Sequence, residues 1–279
     1  MSEISKRIIF GLLYIFVIII ATNSNDYLFS IIFYTFMMFC TYEFNKMQNN
    51  SSIYPYILNS ILYLTGVFVL FNLHNYTNYI GITLVLTLFF VFIINLFSKN
   101  SNPSRFLGNA FLNLIYIGLP FVFIVFIHDA NPDIHGAVFK LNYVLSIFIL
   151  LWVNDTFAYL TGKKFGKHKL FERISPKKTI EGFIGGLIFT LIFGFIISKI
   201  NVLQMQNGSL LYNYKLWLVI SLIVSVFGTL GDLIESKFKR EANIKDSSNL
   251  IPGHGGFLDR LDSFIFATPF IFIYIISNL

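Results

Sequence analysis

Polar positions are rare along this chain, and they punctuate long apolar runs instead of alternating with apolar residues. A bilayer-spanning helix needs about 20 largely apolar residues, within a range of roughly 17 to 25. That rule predicts nine spans, at roughly 7–22, 27–43, 54–73, 79–97, 107–127, 138–160, 179–200, 215–235 and 262–278. A membrane β-barrel calls for ten-residue alternating segments, and these runs are continuous. The expected fold is therefore all-α, a polytopic integral membrane protein of about nine helices. Five of the spans fall in an N-terminal region, 1–135. The rest belong to a region 136–279 that carries two polar loops, 161–178 and 236–261.

Lys and Arg placement sets orientation. With the N-terminus inside, the inner segments 1–6 (with Arg7), 44–53, 98–106, 161–178 and 236–261 hold 17 of the 20 basic residues. The outer stretches TNSND, HNYTN, HDANPDIHG and NVLQMQNGSLLYN hold none. The first run follows Lys6 and Arg7 as a signal peptide would, but TNSND offers no small-x-small cleavage site, so it is read as a span.

Composition agrees. Residues are 56% hydrophobic and 12% charged, against about 25% charged in soluble domains. The single cysteine, Cys40, excludes an intrachain disulfide and a thiolate metal cluster. No nucleic-acid partner is expected.

The scarce charges concentrate where chemistry is feasible. Span eight ends in FGTLGDLIESKFKR, which puts Asp232 and Ser236 on one helix face with Glu235 beside them. Span nine opens with GGFLDRLDS, which puts Asp259 and Asp262 on one face. Acids at membrane helix ends are costly unless solvated, paired or metal-bound. Two such carboxylates suit Mg²⁺, which takes few protein ligands and completes its shell with water and phosphate. Pairing with Lys237, Lys239, Arg240 and Arg260 at a wet surface is the alternative. Pro252-Gly253-His254-Gly255-Gly256 precedes that helix, and glycine-rich turns and helix N-termini present N–H groups to phosphate. His254 is a candidate phosphate donor or proton carrier, or a plain turn residue.

In the loop TGKKFGKHKLFERISPKKTIEGFIGG, Ser175-Pro176 reads as a helix N-cap with proline at the first helical position. Lys177 and Lys178 would then lie in the first turn, where an anion relieves their conflict with the helix dipole. Attraction to the membrane surface is the competing explanation. Gly182, Gly185 and Gly186 predict close helix packing. In WVNDTFAYLTG, Asp155 lies inside an apolar run and marks a functional site, whereas Asn154 and Thr156 are expected to make helix–helix hydrogen bonds. Metal-binding acids, glycine N–H groups and basic residues at one membrane edge suit phosphoryl or nucleotidyl transfer, which depends on positioning and charge neutralisation.

The run SKFKREANIKDSSNLIPGHGGFLDRLD, from Ser236 to Asp262, resembles the signature of the phosphatidate cytidylyltransferases, or CDP-diacylglycerol synthases. Ser236, Lys239-Arg240, Lys245-Asp246, Pro252, His254-Gly255-Gly256, Asp259-Arg260 and Asp262 stand in register. Ser248 replaces a common glycine. GDLIES, SPKKTIEG and NDTFAYLTGKKFG also resemble that family, so the likeness covers the chain from Trp152 onward. It implies that CTP and phosphatidate give CDP-diacylglycerol and pyrophosphate. It further implies Mg²⁺ dependence, with K⁺ as a second cation, and a homodimer in the inner (cell) membrane whose active site faces the cytoplasm. Asp232 and Asp259 are the implied metal ligands. Lys177, Lys178, Lys239, Arg240 and Arg260 are candidates for phosphate binding, together with Gly255 and Gly256. Ser175, Lys245 and His254 join the candidate site, and Asp155, Asp246 and Asp262 are candidates to orient ligands or hold a second cation. A CTP-dependent lipid kinase of the dolichol-kinase type is the nearest alternative, and an anionic-lipid transporter the non-enzymatic one. The D-G-x-x-A-R motif of the CDP-alcohol phosphatidyltransferases is not found.

Overall fold

A computed structural model describes residues 3–72, 77–97, 102–130, 142–204 and 214–278. The predicted breaks near 73–76, 131–141 and 205–213, with Lys99, Lys140 and the 135/136 division, lie outside them. The elements are α1 (Glu3–Asn23), α2 (Asp26–Met47), α3 (Tyr54–Asn72), α4 (Thr77–Phe97), α5 (Pro103–Asn113), a π-helical turn Leu114–Gly118, α6 (Leu119–Asp129), α7 (Tyr143–Phe165), β1 (Lys169–Phe171), β2 (Ser175–Thr179), α8 (Ile180–Gln204), α9 (Tyr214–Glu241) and α10 (Leu258–Ile276).

Among the described residues the fold is all-helical apart from one small antiparallel hairpin, β1–β2, with Lys169 opposite Thr179 and Phe171 opposite Ser175. Several starts are set by asparagine caps. Asn25, Asn102 and Asn142 accept from the backbone N–H groups of Leu28, Arg105 and Leu145 at 2.9, 3.1 and 2.8 Å, satisfying donors that a helix start leaves free.

Among the described residues, six helical segments are long and apolar enough to cross a membrane: Asp26–Met47, Tyr54–Phe71, Pro103–Asp129, Tyr143–Phe165, Ile180–Ile200 and Tyr214–Glu241. The third joins α5, the π-turn and α6. The chain is thus a multi-pass membrane protein. The apolar parts of α1 and α4, Arg7–Asn23 and Val85–Leu96, are shorter. On α8, Ile184, Ile188, Ile192 and Phe195 form an exposed apolar stripe at helical spacing, the face a lipid-bathed helix presents.

The core is aromatic. Phe148 stacks on Phe264 with centroids 4.6 Å apart, and Phe33 lies within 6.4 Å of both and of Phe121. Helices α7, α8 and α9 pack through small residues. A Cβ on Gly182 would lie 3.2 Å from the Gly162 Cα and 2.8 Å from the Ala158 carbonyl oxygen, and one on Gly186 would meet Asn154. The buried Asn154 Oδ1 accepts from Ser225 on α9 at 2.8 Å and Thr190 on α8 at 3.4 Å. The expected close packing and helix–helix hydrogen bond through Asn154 are both present.

Two local expectations need correction. Ser175-Pro176 does not cap a helix, because Ser175–Thr179 is strand β2 and α8 starts at Ile180. The cap is Thr179, whose Oγ1 accepts from the Gly182 N–H at 3.1 Å; Lys177 and Lys178 therefore stand on the hairpin. Second, α9 runs on to Glu241, so Lys237, Lys239 and Arg240 are helical and not part of a loop.

Candidate active site

The C-terminal turns of α7 and α9, the end of the hairpin, the turn 242–257 and the start of α10 bring the predicted charges together. Asp232 Oδ1 accepts from the Ser236 hydroxyl at 3.2 Å, which follows from the shared helix face expected of the two. Its Oδ2 meets the Lys178 ammonium at 2.6 Å, so the hairpin is tied to α9 by an ion pair. The hairpin is held in turn by Glu181, which accepts from the Lys167 and His168 N–H groups at 3.0 and 3.2 Å and contacts the His168 ring at 2.7 Å.

Lys239 sits between two carboxylates. It is 2.7 Å from Asp259 Oδ1 and in direct contact with Glu235, one helical turn away. The three side chains are 12%, 7% and 0% exposed in that order, so this is an interior ionic cluster. The second Asp259 oxygen, Oδ2, accepts from the Ser247 N–H at 2.9 Å, the Ser247 hydroxyl at 3.0 Å and the Gly256 N–H at 2.7 Å. The glycine turn does gather N–H groups toward one point, but here they converge on the protein's own carboxylates. Gly253 and Gly255 have φ of +80° and +83°, a conformation that costs glycine nothing. Asp259 is also so close to Gly255 that a Cβ there has no room.

Asp155, Asp232 and Asp262, from α7, α9 and α10, lie within electrostatic range of one another. Glu235 extends the group toward Asp259. Asp155, Asp259 and Asp262 all line a cavity of about 240 Å³ between α1, α7 and α10, although Asp262 itself is buried. Gly11, Tyr14, Trp152, His254 and Arg260 help to line it, so it has an apolar flank and a charged end. Helix α1 closes one wall, with the Tyr14 hydroxyl donating to the Arg260 carbonyl at 3.2 Å. The Arg260 guanidinium donates to the His254 carbonyl at 3.0 Å, and that of Arg240 to the Ile244 carbonyl at 3.4 Å. Partial burial, with Arg260 and Arg7 nearby, lowers the His254 pKa below its ordinary 6.5 and favours the neutral ring. Lys177, Lys245 and Asp246 are exposed, and Ser175 is half-buried on the hairpin. A larger cavity of about 490 Å³ lies away from these charges, lined by amides, hydroxyls and Arg105.

Among the described residues, no group of three or more His, Cys, Asp or Glu is arranged to enclose a metal ion. The acids nevertheless supply only oxygen donors, the type a hard cation takes. One residue had escaped notice entirely. Glu43, at the end of α2, is wholly buried and accepts hydrogen bonds from the turn and the start of α10. Its signal was present in TYEFNK, an acid at a membrane helix end.

Residues 5–277 match the model of the cytidylyltransferase family. The chain belongs to this family. Among its relatives, the phosphatidate cytidylyltransferase of Bacillus subtilis (strain 168) is 34% identical over 277 residues, covering 98% of this chain and 97% of that protein. The one from Staphylococcus aureus (strain COL) is 40% identical over 198 residues, 70% of this chain and 69% of the relative. That from Staphylococcus haemolyticus (strain JCSC1435) is 41% identical over 182 residues, 64% and 63% respectively. Family membership extends the resemblance seen from Trp152 onward to nearly the whole length, so α1 and α2 belong to the family fold as much as the charged turn does. A nucleotidyltransferase is the enzyme class this membership gives.

Proposed function

We propose that this chain is a phosphatidate cytidylyltransferase, converting CTP and phosphatidate to CDP-diacylglycerol and pyrophosphate. The observation that carries the reading is the meeting of carboxylates from α7, α9 and α10 with Lys178, Lys239 and Arg260, in a chain with a relative of that name matched over 98% of its length. A phosphatidate phosphate oxygen attacks the α-phosphorus of CTP. The new P–O bond forms as the α–β bridging P–O bond breaks, and pyrophosphate takes the bonding pair. No general base is required, because a phosphate monoester has a second pKa near 6.

Lys177 and Lys178 on the hairpin and Arg240 and Arg260 beside the turn are the cations proposed to hold the phosphates, with Lys245, Ser175, His254 and the Gly255-Gly256 backbone at the rim. Lys239 is proposed to hold the carboxylate geometry as well, since its ammonium already bridges Glu235 and Asp259. Asp232 and Asp259 are the proposed Mg²⁺ ligands. Asp155, Asp246 and Asp262 orient them or share a second cation such as K⁺. A bound divalent ion supplies charge neutralisation between two polyanions. The oxygen-only donor set supports this, as does the mutual repulsion among the acids, which a cation relieves. Nine spans, an inside N-terminus, a cytoplasmic site in the cell membrane and a homodimer complete the proposal. It is supported by the bias of Lys and Arg toward one set of loops and by the substrates, one water-soluble and one lipid.

CTP labelled separately at the α and γ positions tests the reaction in detergent-purified protein with phosphatidate and Mg²⁺. Label from α in the lipid and from γ in pyrophosphate is the expected result. Label from γ in the lipid identifies a kinase. Asp232→Asn and Asp259→Asn are each expected to abolish turnover in folded protein, and normal turnover at limiting Mg²⁺ removes that residue from the metal site.

A further inference from the structure

Glu43 lies in the N-terminal half, to which no role in the chemistry has been assigned. Its side chain is wholly buried near the end of a membrane helix, a costly place for a carboxylate. Four donors compensate it. Oε1 accepts from the Ser248 hydroxyl at 2.5 Å and the Phe257 N–H at 3.0 Å. Oε2 accepts from the Ser247 hydroxyl at 2.9 Å and the Leu258 N–H at 2.7 Å.

Two of those donors belong to the start of α10. A helix start leaves its first N–H groups without partners, and Phe257, at the N-cap, offers no capping side chain. Glu43 supplies the cap from 215 residues away. The other two donors tie down the turn. Ser247 is also bonded to Asp259, through both its N–H and its hydroxyl. A hydroxyl has one proton to donate, so Glu43 and Asp259 compete for it. Buried Gly256 permits the arrangement, because a Cβ there would collide with Glu43 and Ser247.

We infer that Glu43 is a positioning residue for nucleotidyl transfer: its carboxylate fixes the start of α10 and the Ser247-Ser248 turn, and through them the placement of Asp259 and Asp262. The inference rests on the proposed reaction. Glutamine cannot substitute. Either orientation of its amide turns an N–H₂ group toward a backbone N–H, that of Phe257 or of Leu258. Aspartate keeps both acceptors and the charge but is one methylene shorter.

The test uses full-length protein in detergent with CTP, phosphatidate and Mg²⁺. Glu43→Gln is expected to lower kcat per folded molecule at least about tenfold with KM for CTP within about threefold, because Glu43 is wholly buried and acts through the turn and α10, and a loss felt only in the transition state appears in kcat. Amide exchange over 247–258 should quicken, and Glu43→Asp should recover part of kcat. A Glu43→Gln protein with kcat within twofold of wild type overturns the inference, as does a loss of kcat with unchanged exchange over 247–258. If Glu43→Gln does not fold, Ser248→Ala decides, since it removes one donor from a half-buried turn position. About threefold lower kcat with faster exchange upholds the inference, and an unchanged enzyme overturns it. A wild-type protein without CTP turnover sinks the proposed function and this role with it, whereas an active wild type beside an equally active Glu43→Gln sinks only the role.

Discussion

Replacing Lys239 by methionine separates an ammonium that maintains structure from one that only meets substrate. The change keeps an unbranched side chain, one atom shorter, and removes the charge. It strands Glu235, which is fully buried, and takes the ammonium away from Asp259 Oδ1, whose carboxylate is 7% exposed. Removing one partner of a buried ion pair costs about 3–5 kcal/mol, because the remaining charge is left uncompensated. Asp259 retains the Ser247 and Gly256 N–H donors on Oδ2 and a share of the Ser247 hydroxyl, so most of that cost falls on Glu235. At roughly 2–4 °C per kcal/mol for larger domains, the melting temperature of purified protein in detergent should fall on the order of 6–20 °C. Adding Glu235→Gln to Lys239→Met removes the stranded charge, and the double variant should regain at least half of the loss. This non-additivity is the signature of direct contact. A phosphate-binding lysine without this structural role would instead raise KM for CTP and leave melting alone. Unchanged melting of Lys239→Met would refute the buried cluster.

Other outcomes follow from particular contacts. Gly182→Ala should lower the melting temperature, through overpacking of about 1–3 kcal/mol, because its Cβ would press on the Ala158 and Gly162 backbones, which cannot rotate away. Gly108→Ala, with open space around its Cβ, should stabilise α5 by up to about 1 kcal/mol in the same melting experiment. Asn154→Leu should destabilise by about 1–3 kcal/mol by taking the acceptor from the buried Ser225 hydroxyl, while Thr190 keeps the Gly186 carbonyl at 2.7 Å. For His254, the folded pKa lies below 6.5, so the unfolded chain binds more protons between the two values. Its contribution to stability is therefore complete above pH 6.5 and is lost as pH falls through the folded pKa. NMR titration should give a midpoint below 6.5, and His254→Gln should remove this part of the acid dependence of melting.

The membrane class and most helices were legible because a span needs length and apolarity, and both are local. The carboxylates of the site were legible for the opposite reason, since Asp155, Asp232 and Asp259 stand out where charge is scarce. The hairpin was not. Ser175-Pro176 carries a real cap signal, yet Thr179 four residues on has the same capping oxygen, and pairing with Lys169–Phe171 decides between them. The end of α9 was missed because Lys237, Lys239 and Arg240 look like loop residues until two of Lys239's neighbours turn out to be buried acids. Glu43 is the clearest case. The rule that marks Asp155 also marks it, but its partners lie more than two hundred positions away, and no local pattern reports them.

The Lys178–Asp232 contact has a thermodynamic consequence. Each group is the other's counter-ion in the free protein, so a ligand that takes over this contact on either side releases the other group. A cation that takes Asp232 sets Lys178 loose, and an anion that takes Lys178 sets Asp232 loose. Whichever arrives first meets the cost of breaking the pair, and the second binds without it. Linkage makes this help reciprocal and equal in free energy. For the proposed Mg²⁺ and CTP the coupling would be modest, since the pair is about a third exposed and such pairs are worth roughly 0–1 kcal/mol.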